Sequence, residues 1–327
     1  MDIEQELKKR ADFFNKHLEK FLEGGHPENL YNAARHLPLA GGKRLRPCLA
    51  IISCEAVKGD VTKVIPLAIA LELIHNFTLV HDDIMDNSKL RRNMPTVHIK
   101  YGQPAAINAG DLLFTKAFES MHNITGDCSV FKNLEFGFIG FIREICEGQQ
   151  LDINFEKRQI INEEEYLEMI RKKTAVFFQF AAEAGAILGE GTEEEVKALN
   201  EYGLNSGLGF QIWDDYLDFS SDENTLGKDI GNDIRNGKKT LIAVNCLNNA
   251  TGDDKKLLDE IFGNMKATEK EVRQVYYLFE KLKSIDYAKN SALNYVIKAK
   301  KALDILPDSN AKQLLLELAD YSIKREK

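Results

Sequence analysis

Apolar residues recur at helical spacing along most of the chain, and alternating strand patterns are rare. No proline lies between Pro104 and Pro307, so a long stretch lacks the residue that most readily breaks a helix. Within it, Asn162, Thr192 and Thr268 are each followed three positions later by glutamate, the pattern of a capping box. The pattern predicts helices over 1–22, 28–36, 46–57, 62–86, 104–122, 128–150, 163–188, 192–219, 240–249, 254–263, 268–282, 285–304 and 309–323.

The longest segment without a helical pattern is 220–239, which is rich in glycine, aspartate, asparagine and lysine. A polar loop of this length in a compact domain is usually functional or mobile. No low-complexity linker divides the chain. We therefore expect an all-α fold in which residues 1–327 form a single domain.

Composition narrows the possible functions. The 327 residues are 44% hydrophobic and 29% charged, which is enough for a large buried core. The net charge of −8 argues against bulk attraction to nucleic acid or to anionic lipid. An anionic ligand would therefore have to be held by a local basic cluster or by metal ions.

Cysteine usage and hydropathy indicate a cytoplasmic protein. The five cysteines show no CxxC spacing and are typical of reduced thiols. Residues 1–10 are charged throughout, so no signal peptide is expected there. The richest apolar stretch, 64–80, contains Glu72, His75 and Asn76, and we expect no transmembrane segment.

Two pairs of aspartates suggest a metal site. Asp82 and Asp86 are four residues apart at the end of one predicted helix, and Asp214 and Asp218 repeat this spacing on another. Each pair shares a helix face, where like charges repel unless a cation lies between them. A single pair is more often a solvated surface, but both follow strongly apolar segments. Magnesium bound together with diphosphate oxygens is the expected ligand.

Basic residues near these motifs suggest that anions bind. Segment 41–47 places Lys43 and Arg46 beside two glycines at a predicted helix start, where free N–H groups favour anions. His75 lies two turns before Asp82 and can donate to a phosphate oxygen. An ordinary basic helix entrance and a core histidine are the simpler readings of each feature alone.

Further cations flank the second acidic motif. Lys173 and Thr174 lie within a predicted helix, and Lys228 and Lys238 lie in the polar segment after Asp218. Each lysine alone is typical of a solvated surface. Together with the aspartates they predict a site for two diphosphates with apolar tails, one bridged by metal, over which the polar segment can close.

In this order, the motifs resemble those of the trans-isoprenyl diphosphate synthases of the farnesyl and geranylgeranyl type, the short-chain polyprenyl synthetases. The matching stretches are Gly-Gly-Lys-Arg-x-Arg-Pro at 41–47, Asp-Asp-x-x-Asp at 82–86 with Arg91-Arg92, Lys173-Thr174, and Gly-x-Phe-Gln-x-x-Asp-Asp-x-x-Asp at 209–218. The resemblance implies an all-α bundle around a deep central cavity, usually a homodimer.

The resemblance also assigns roles to individual residues. Asp82, Asp86 and Asp214 are implied to bind magnesium, with Asp218 in support, and Lys173 and Lys228 to assist catalysis. The residues implied to hold isopentenyl diphosphate are Lys43, Arg46, His75 and Arg92. Those implied to hold the allylic diphosphate are Arg91, Lys173, Thr174, Gln211, Lys228 and Lys238.

The implied reaction is the condensation of isopentenyl diphosphate with an allylic diphosphate. About three magnesium ions would neutralise the leaving diphosphate, the allylic cation would be attacked by the isopentenyl double bond, and a proton would then be lost. Phe77, five residues before Asp82, is a position that the family associates with stopping at geranylgeranyl diphosphate, sometimes with farnesyl diphosphate as well. The helical wheel instead nominates Thr78, which lies closer to the Asp82 face.

Two other functions fit parts of the pattern. A class I terpene cyclase shares the fold and the first acidic motif, but generally lacks the site for a second diphosphate. A non-catalytic partner subunit of a prenyltransferase tends to lose aspartates, and none is missing here. We therefore expect a magnesium-dependent prenyltransferase.

Overall fold

The computed structural model describes residues 2–220 and 228–324. Within these ranges, helices account for nearly all regular structure, which confirms the predicted all-α fold. The α-helices are α1 (Ile3–Phe21), α2 (Glu28–His36), α3 (Leu45–Ala56), α4 (Ile65–Met85), α5 (Val97–Tyr101), α6 (Gln103–Met121), α7 (Cys128–Glu156), α8 (Glu163–Ile170), α9 (Val176–Leu188), α10 (Glu193–Ser220), α11 (Lys228–Asn236), α12 (Leu241–Asn249), α13 (Gly252–Ile261), α14 (Glu269–Lys281), α15 (Ser284–Ala302) and α16 (Asn310–Lys324). Two short strands, β1 (Leu90–Arg91) and β2 (Met94–Pro95), pair antiparallel.

The three predicted capping boxes are present. At the start of α8, the Asn162 side chain accepts from the amide of Glu165, whose carboxylate accepts from the amide of Asn162. Thr192 and Thr268 make the same reciprocal bonds to glutamates three residues later. These bonds satisfy amide groups that the first turn of a helix would otherwise leave without partners.

The prediction of an irregular segment over 220–239 is wrong in part, because α11 occupies its second half. Ile234 is fully buried, and Ile230 lies one turn before it in sequence. The asparagine, aspartate and glycine between them favour turns, so the sequence of α11 resembles a loop. Packing of Ile234 compensates for that weak intrinsic preference. Residues 221–227 lie outside the described part of the chain.

The chain divides into two compact units. The first comprises Met1–Ile139, Phe180–Asn200 and Ile305–Leu315, and α4 forms its centre by packing along α6, α3 and α1. The second comprises Gly140–Gln179, Glu201–Asp304 and Leu316–Lys327, where α12 packs against α15, α14 and α8. A single domain with a deep cavity stays a prediction.

Helix α4 explains the most apolar stretch of the sequence. Among the described residues, Val61–Met85 is the one helical segment long and apolar enough to cross a membrane, but 67% of its most apolar window is buried inside the fold. Leu67, Leu71 and Ile74 are fully enclosed by neighbouring helices. The segment therefore has the burial expected of a core helix.

Candidate active site

The first acidic motif ends α4 and divides its three aspartates between two environments. Asp82 is half-buried and Asp86 is exposed, as the shared helix face predicts. Asp83 is 1% exposed and points elsewhere, because successive residues are rotated about 100° around a helix. Its carboxylate accepts two bonds from Arg91 Nε, at 2.8 and 3.0 Å. The middle aspartate is thus buried in an ion pair, while the outer two lie on the accessible face.

The β1–β2 hairpin after α4 sends the two consecutive arginines in different directions. Arg92 and Asn93 form its turn with φ values of 53° and 60°, the left-handed conformation of a tight hairpin. Arg91 therefore reaches back to Asp83, whereas Arg92 donates to the carbonyls of Leu37 and Gly41. The sequence analysis missed this hairpin because it is only two residues long on each side.

Three of the four residues predicted to hold isopentenyl diphosphate form one basic group. Nη1 of Arg46 lies 3.4 Å from Nε2 of His75. Arg92 is close enough to both His75 and Gly42 to affect them: its charge lowers the pKa of His75, and a Cβ on Gly42 would lie 3.1 Å from its guanidinium carbon. Lys43, the fourth residue, is exposed on the same loop.

The state of His75 follows from its surroundings. Burial, followed by the charges of Arg46 and Arg92, places the pKa of His75 well below its usual value, so the ring is neutral at physiological pH. Arginine has no acceptor, so Nε2 must accept from Arg46 and the proton must lie on Nδ1. The neutral imidazole thus adds no positive charge beside the guanidinium groups of Arg46 and Arg92.

Arg44, between Lys43 and Leu45, has a structural role that its motif does not reveal. It is 4% exposed and adopts a left-handed conformation with a φ of 50°. Its guanidinium donates to Glu72 on α4 at 2.5 Å and to Asn15 on α1 at 2.9 Å. This buried pair anchors the loop before α3 and so positions the neighbouring residues Lys43 and Arg46.

In the second unit, a π-helical segment, Arg171–Ala175, interrupts the predicted helix 163–188 between α8 and α9. It carries Lys173 and Thr174, and such segments are often found at functional sites. Glycines let neighbouring helices approach it: a Cβ on Gly148 of α7 would lie 2.3 Å from the Lys173 nitrogen, and one on Gly207 of α10 would lie 2.6 Å from the Ala175 Cα. The backbone of this segment is therefore tightly enclosed.

Lys173 and Lys238 each lie among carboxylates of the second unit. Nζ of Lys173 is 2.5 Å from Asp152 on α7, a residue that the sequence analysis missed. Nζ of Lys238 is 3.5 Å from Asp233, and the charges of Asp215 and Asp233 raise its pKa although burial opposes this. Lys238 therefore remains an ammonium ion.

The second acidic motif repeats the arrangement of the first. Asp214 and Asp218 are half-buried on one face of α10, whereas Asp215 is 4% exposed. The Tyr166 hydroxyl of α8 donates to Asp215 Oδ2 at 2.8 Å, and Gln211 Nε2 donates to Oδ1 at 3.0 Å. Burial raises the pKa of Asp215 to about 6, although Lys238 and these two donors oppose the shift.

Gln211 links this pair to Thr174. Its Oε1 accepts from the Thr174 hydroxyl at 2.8 Å, so Thr174, Gln211, Asp215 and Tyr166 form one hydrogen-bonded chain. Lys228 begins α11, but its side chain lies outside the described part of the structure. The sequence predicted Thr174 and Gln211 as site residues, whereas Tyr166 gave no signal beyond its place in the apolar spacing of a helix.

The two candidates for product length lie next to each other on α4 in different surroundings. The Phe77 ring is 5.3 Å from that of Phe114 on α6, which in turn is 5.3 Å from Phe118. All three rings are half-buried. The Thr78 hydroxyl donates to the backbone carbonyl of His75 at 2.8 Å, within its own helix. Phe77 is thus part of an aromatic row, and Thr78 is not.

The donor set of the two motifs fits magnesium. Each motif offers two carboxylates one turn apart on an accessible face, and hard divalent cations prefer such oxygens. Among the described residues, no group of three or more histidine, cysteine or acidic side chains is close enough to hold a metal unaided. Magnesium keeps waters and substrate phosphates among its ligands, so one or two carboxylates from each motif would be a sufficient contribution from the protein.

Known proteins are similar to this chain over nearly its whole length. A family model described as polyprenyl synthetase matches residues 27–279. The geranylgeranyl diphosphate synthase of Methanosarcina mazei is 44% identical, over 100% of this chain and 99% of the relative. The short chain isoprenyl diphosphate synthase of Methanothermobacter thermautotrophicus is also 44% identical, over 100% of this chain and 99% of the relative.

A solved structure agrees with the fold. The crystal structure of geranylgeranyl pyrophosphate synthetase from Pyrococcus horikoshii superposes with a TM-score of 0.93 at 44% identity. The match covers 99% of this chain and 99% of that one. The similarity therefore extends over both acidic motifs and over the basic group of the first unit.

Proposed function

Because the chain belongs to the polyprenyl synthetase family, we propose that this prenyltransferase condenses isopentenyl diphosphate with dimethylallyl, geranyl and farnesyl diphosphates and forms mainly geranylgeranyl diphosphate. One observation carries the proposal: both acidic motifs bury their middle aspartate and leave the outer two accessible. Aspartates that were only solvated at the surface would not require one member of each motif to be buried and the other two to be accessible. The names of the relatives support the same activity.

The basic group of the first unit suits isopentenyl diphosphate. Arg46 and Arg92 provide fixed guanidinium forks, which match phosphate oxygens. Neutral His75 lies beside Arg46, and Lys43 is exposed on the same loop. Isopentenyl diphosphate does not ionise in the reaction, so side chains without metal are sufficient to hold it.

The residues of the second unit suit the allylic diphosphate. Lys173 and Lys238 supply positive charge for the leaving group, with Lys228 and Arg91 as further candidates, and Thr174 and Gln211 present oxygens near the reacting carbon. Asp82, Asp86 and Asp214, supported by Asp218, would hold magnesium, about three ions, which when bound neutralises the departing diphosphate. The carbon–oxygen bond breaks heterolytically and its electron pair leaves with the diphosphate. The isopentenyl double bond then forms the new carbon–carbon bond, and a proton passes to the released diphosphate.

Product length is proposed to depend on Phe77. Its ring joins Phe114 and Phe118 in an aromatic row that can block further growth of an apolar chain. We expect Phe77→Ala to give products longer than geranylgeranyl diphosphate. Thr78→Ala should leave them unchanged, because that hydroxyl bonds within its own helix. Unchanged products from Phe77→Ala together with longer products from Thr78→Ala would show that Thr78 limits product length.

The proposal extends to assembly and compartment. Ile107 on α6 and Phe136 and Ile139 on α7 are 42%, 80% and 49% exposed, which is unusual for large apolar side chains and supports a homodimer through this face. All five cysteines lie in the described part of the chain and are free thiols, which supports a reducing cytoplasm.

Product analysis tests the function directly. The purified chain is incubated with magnesium, isopentenyl diphosphate and dimethylallyl, geranyl or farnesyl diphosphate, and the products are dephosphorylated and identified by mass spectrometry. We expect twenty-carbon prenyl alcohol, with some fifteen-carbon product, and none in the presence of a chelator. A cyclic hydrocarbon made without isopentenyl diphosphate would indicate a terpene cyclase, and no product at all a non-catalytic subunit.

A further inference from the structure

Four side chains of the second unit form an unbroken polar chain through its core. Tyr166 is fully buried and Asp215 is 4% exposed, so neither can exchange its partner for bulk water. The bonds measure 2.8 Å from Tyr166 to Asp215, 3.0 Å from Gln211 to Asp215 and 2.8 Å from Thr174 to Gln211. Buried polar groups are costly unless every member has a partner, so the chain has one well-defined arrangement.

The direction of each bond follows from the chemistry of the groups. Gln211 Nε2 can only donate, so it faces a carboxylate oxygen of Asp215. This fixes the amide, and its Oε1 must face Thr174. Oε1 can only accept, so Thr174 donates its single hydroxyl proton to it. The lone pairs of Thr174 Oγ are therefore left for other neighbours.

An oxygen that directs lone pairs, and no proton, at a carbon stabilises the positive charge that develops on that carbon. Thr174 follows Lys173, whose ammonium is held by Asp152. A cationic donor for the diphosphate and an acceptor for the developing cation are thus consecutive residues in the enclosed π segment. Such fixed dipoles stabilise a transition state without reorganising during the reaction.

We propose that Tyr166 and Asp215 are positioning residues that orient the amide of Gln211, so that Thr174 Oγ presents only lone pairs to the allylic carbon as its bond to diphosphate breaks. This inference rests on the proposed function and deepens it. Neither residue touches substrate. Tyr166 holds the second oxygen of Asp215, which keeps the first directed at Gln211.

Asp215→Asn tests the donor-to-acceptor direction of these hydrogen bonds without changing the size of the side chain. Its amide can offer N–H to Gln211, which would turn the glutamine and make Thr174 an acceptor whose proton is free to point at the allylic carbon. We expect kcat to fall about 10- to 100-fold, within the range for losing one oriented group. The KM for allylic diphosphate and the half-saturating magnesium concentration should change less than about twofold, since the aspartates proposed to hold magnesium and the lysines proposed to hold the diphosphate are not substituted.

A double-mutant cycle and a matched control separate positioning from stability. In the Thr174→Val background, Asp215→Asn should have no further effect on kcat, because the oriented oxygen is already gone. Tyr166→Phe should lower kcat less than Asp215→Asn. Tyr202→Phe removes the hydroxyl of another fully buried tyrosine, on α10, and should lower the melting temperature while leaving kcat unchanged.

Three results would overturn the inference: an unchanged kcat in Asp215→Asn, independent effects of Asp215→Asn and Thr174→Val, or an equal loss of kcat in Tyr202→Phe. A raised magnesium requirement in Asp215→Asn would count against it as well, because it would place that residue with the metal ligands. Failure of the proposed function looks different, since the unmodified chain would then not turn over at all.

Discussion

At the scale of single residues, neighbouring aspartates in each motif have opposite environments. Asp82 and Asp214 lie on accessible faces, whereas Asp83 and Asp215 are buried against partners. The four-residue spacing predicted which carboxylates share a face. It did not predict the partner of Asp83 or of Asp215, because the first depends on the backbone of a hairpin and the second on Tyr166, distant in sequence.

Asp83 forms a buried ion pair with Arg91, so removing the charge of Asp83 should lower the stability of the fold. Asp83→Asn leaves the guanidinium without a buried anion, and we expect the free energy of unfolding to fall by about 2–3 kcal/mol, less than for a fully enclosed pair because Arg91 is partly exposed. Urea denaturation measures this. Asp111→Asn, which changes an exposed aspartate of α6, should have almost no effect. Equal stability of the two variants would contradict the pairing.

Lys239 predicts an unusual dependence of stability on pH. The residue is 4% exposed, and its ammonium donates to the Gly237 carbonyl at 2.7 Å and lies 4.9 Å from the Phe262 ring centroid. Burial lowers the pKa of Lys239 to about 8, against about 10.4 in an unfolded chain. Between these values the unfolded chain holds the proton and the folded chain does not, so raising the pH stabilises the fold.

Comparing variants isolates this contribution. The melting temperature of Lys239→Met minus that of the unmodified chain should be most positive near pH 7 and should decrease by pH 9.5, as the cost of the buried charge disappears. Lys256→Met, at a lysine whose side chain is 81% exposed, should show the same difference at both pH values. A constant difference for Lys239→Met would show that its pKa is not lowered.

At the scale of elements, the sequence predicted nearly all long helices and their caps. Asn162, Thr192 and Thr268 start helices as expected, since a capping box is a local interaction. The π segment could not be predicted in this way. Its geometry depends on glycines of α7 and α10 that allow close approach, which is a property of packing between elements.

Because α7 lies very close to the π segment, adding one methyl group to α7 should markedly lower activity. Gly148→Ala would place Cβ 2.3 Å from the Lys173 nitrogen, so the segment must shift. We expect kcat/KM for allylic diphosphate to fall at least about tenfold, since small displacements of positioning groups are costly. Steady-state kinetics measure this. Gly140→Ala, on the same helix with nothing within 4 Å of the added Cβ in the single chain, should keep kcat/KM close to that of the unmodified chain.

At the scale of the whole molecule, each compact unit carries one acidic motif and its own cations. The first holds Asp82 with the Arg46, His75 and Arg92 group, and the second holds Asp214 with Lys173 and Lys238. The motifs in the sequence predicted that each pair of aspartates is accompanied by basic residues. Which cation meets which anion could not be predicted, because pairs such as Lys173 with Asp152 join side chains of different helices and depend on how those helices pack.

The exposed apolar face of α6 and α7 predicts a dimer. A single charged substitution on this face should dissociate it. Phe136→Asp places a carboxylate at the most exposed large apolar side chain of the described residues, and burying it in an interface would be costly. We expect the mass measured by light scattering to fall from dimer to monomer. Tyr277→Asp, at an exposed aromatic on α14, should not change the mass. A monomeric unmodified chain would contradict the proposed assembly.

Single-turnover release of diphosphate from the allylic substrate tests the central claim most directly. With magnesium and isopentenyl diphosphate, the unmodified chain should release diphosphate rapidly, and chelation should stop it. Asp82→Ala and Asp214→Ala should each lower the rate at least about 1,000-fold while keeping the fold, because both carboxylates are accessible and their loss removes charge stabilisation of the leaving group. Release that continues without magnesium, or near-normal rates in either variant, would contradict the account.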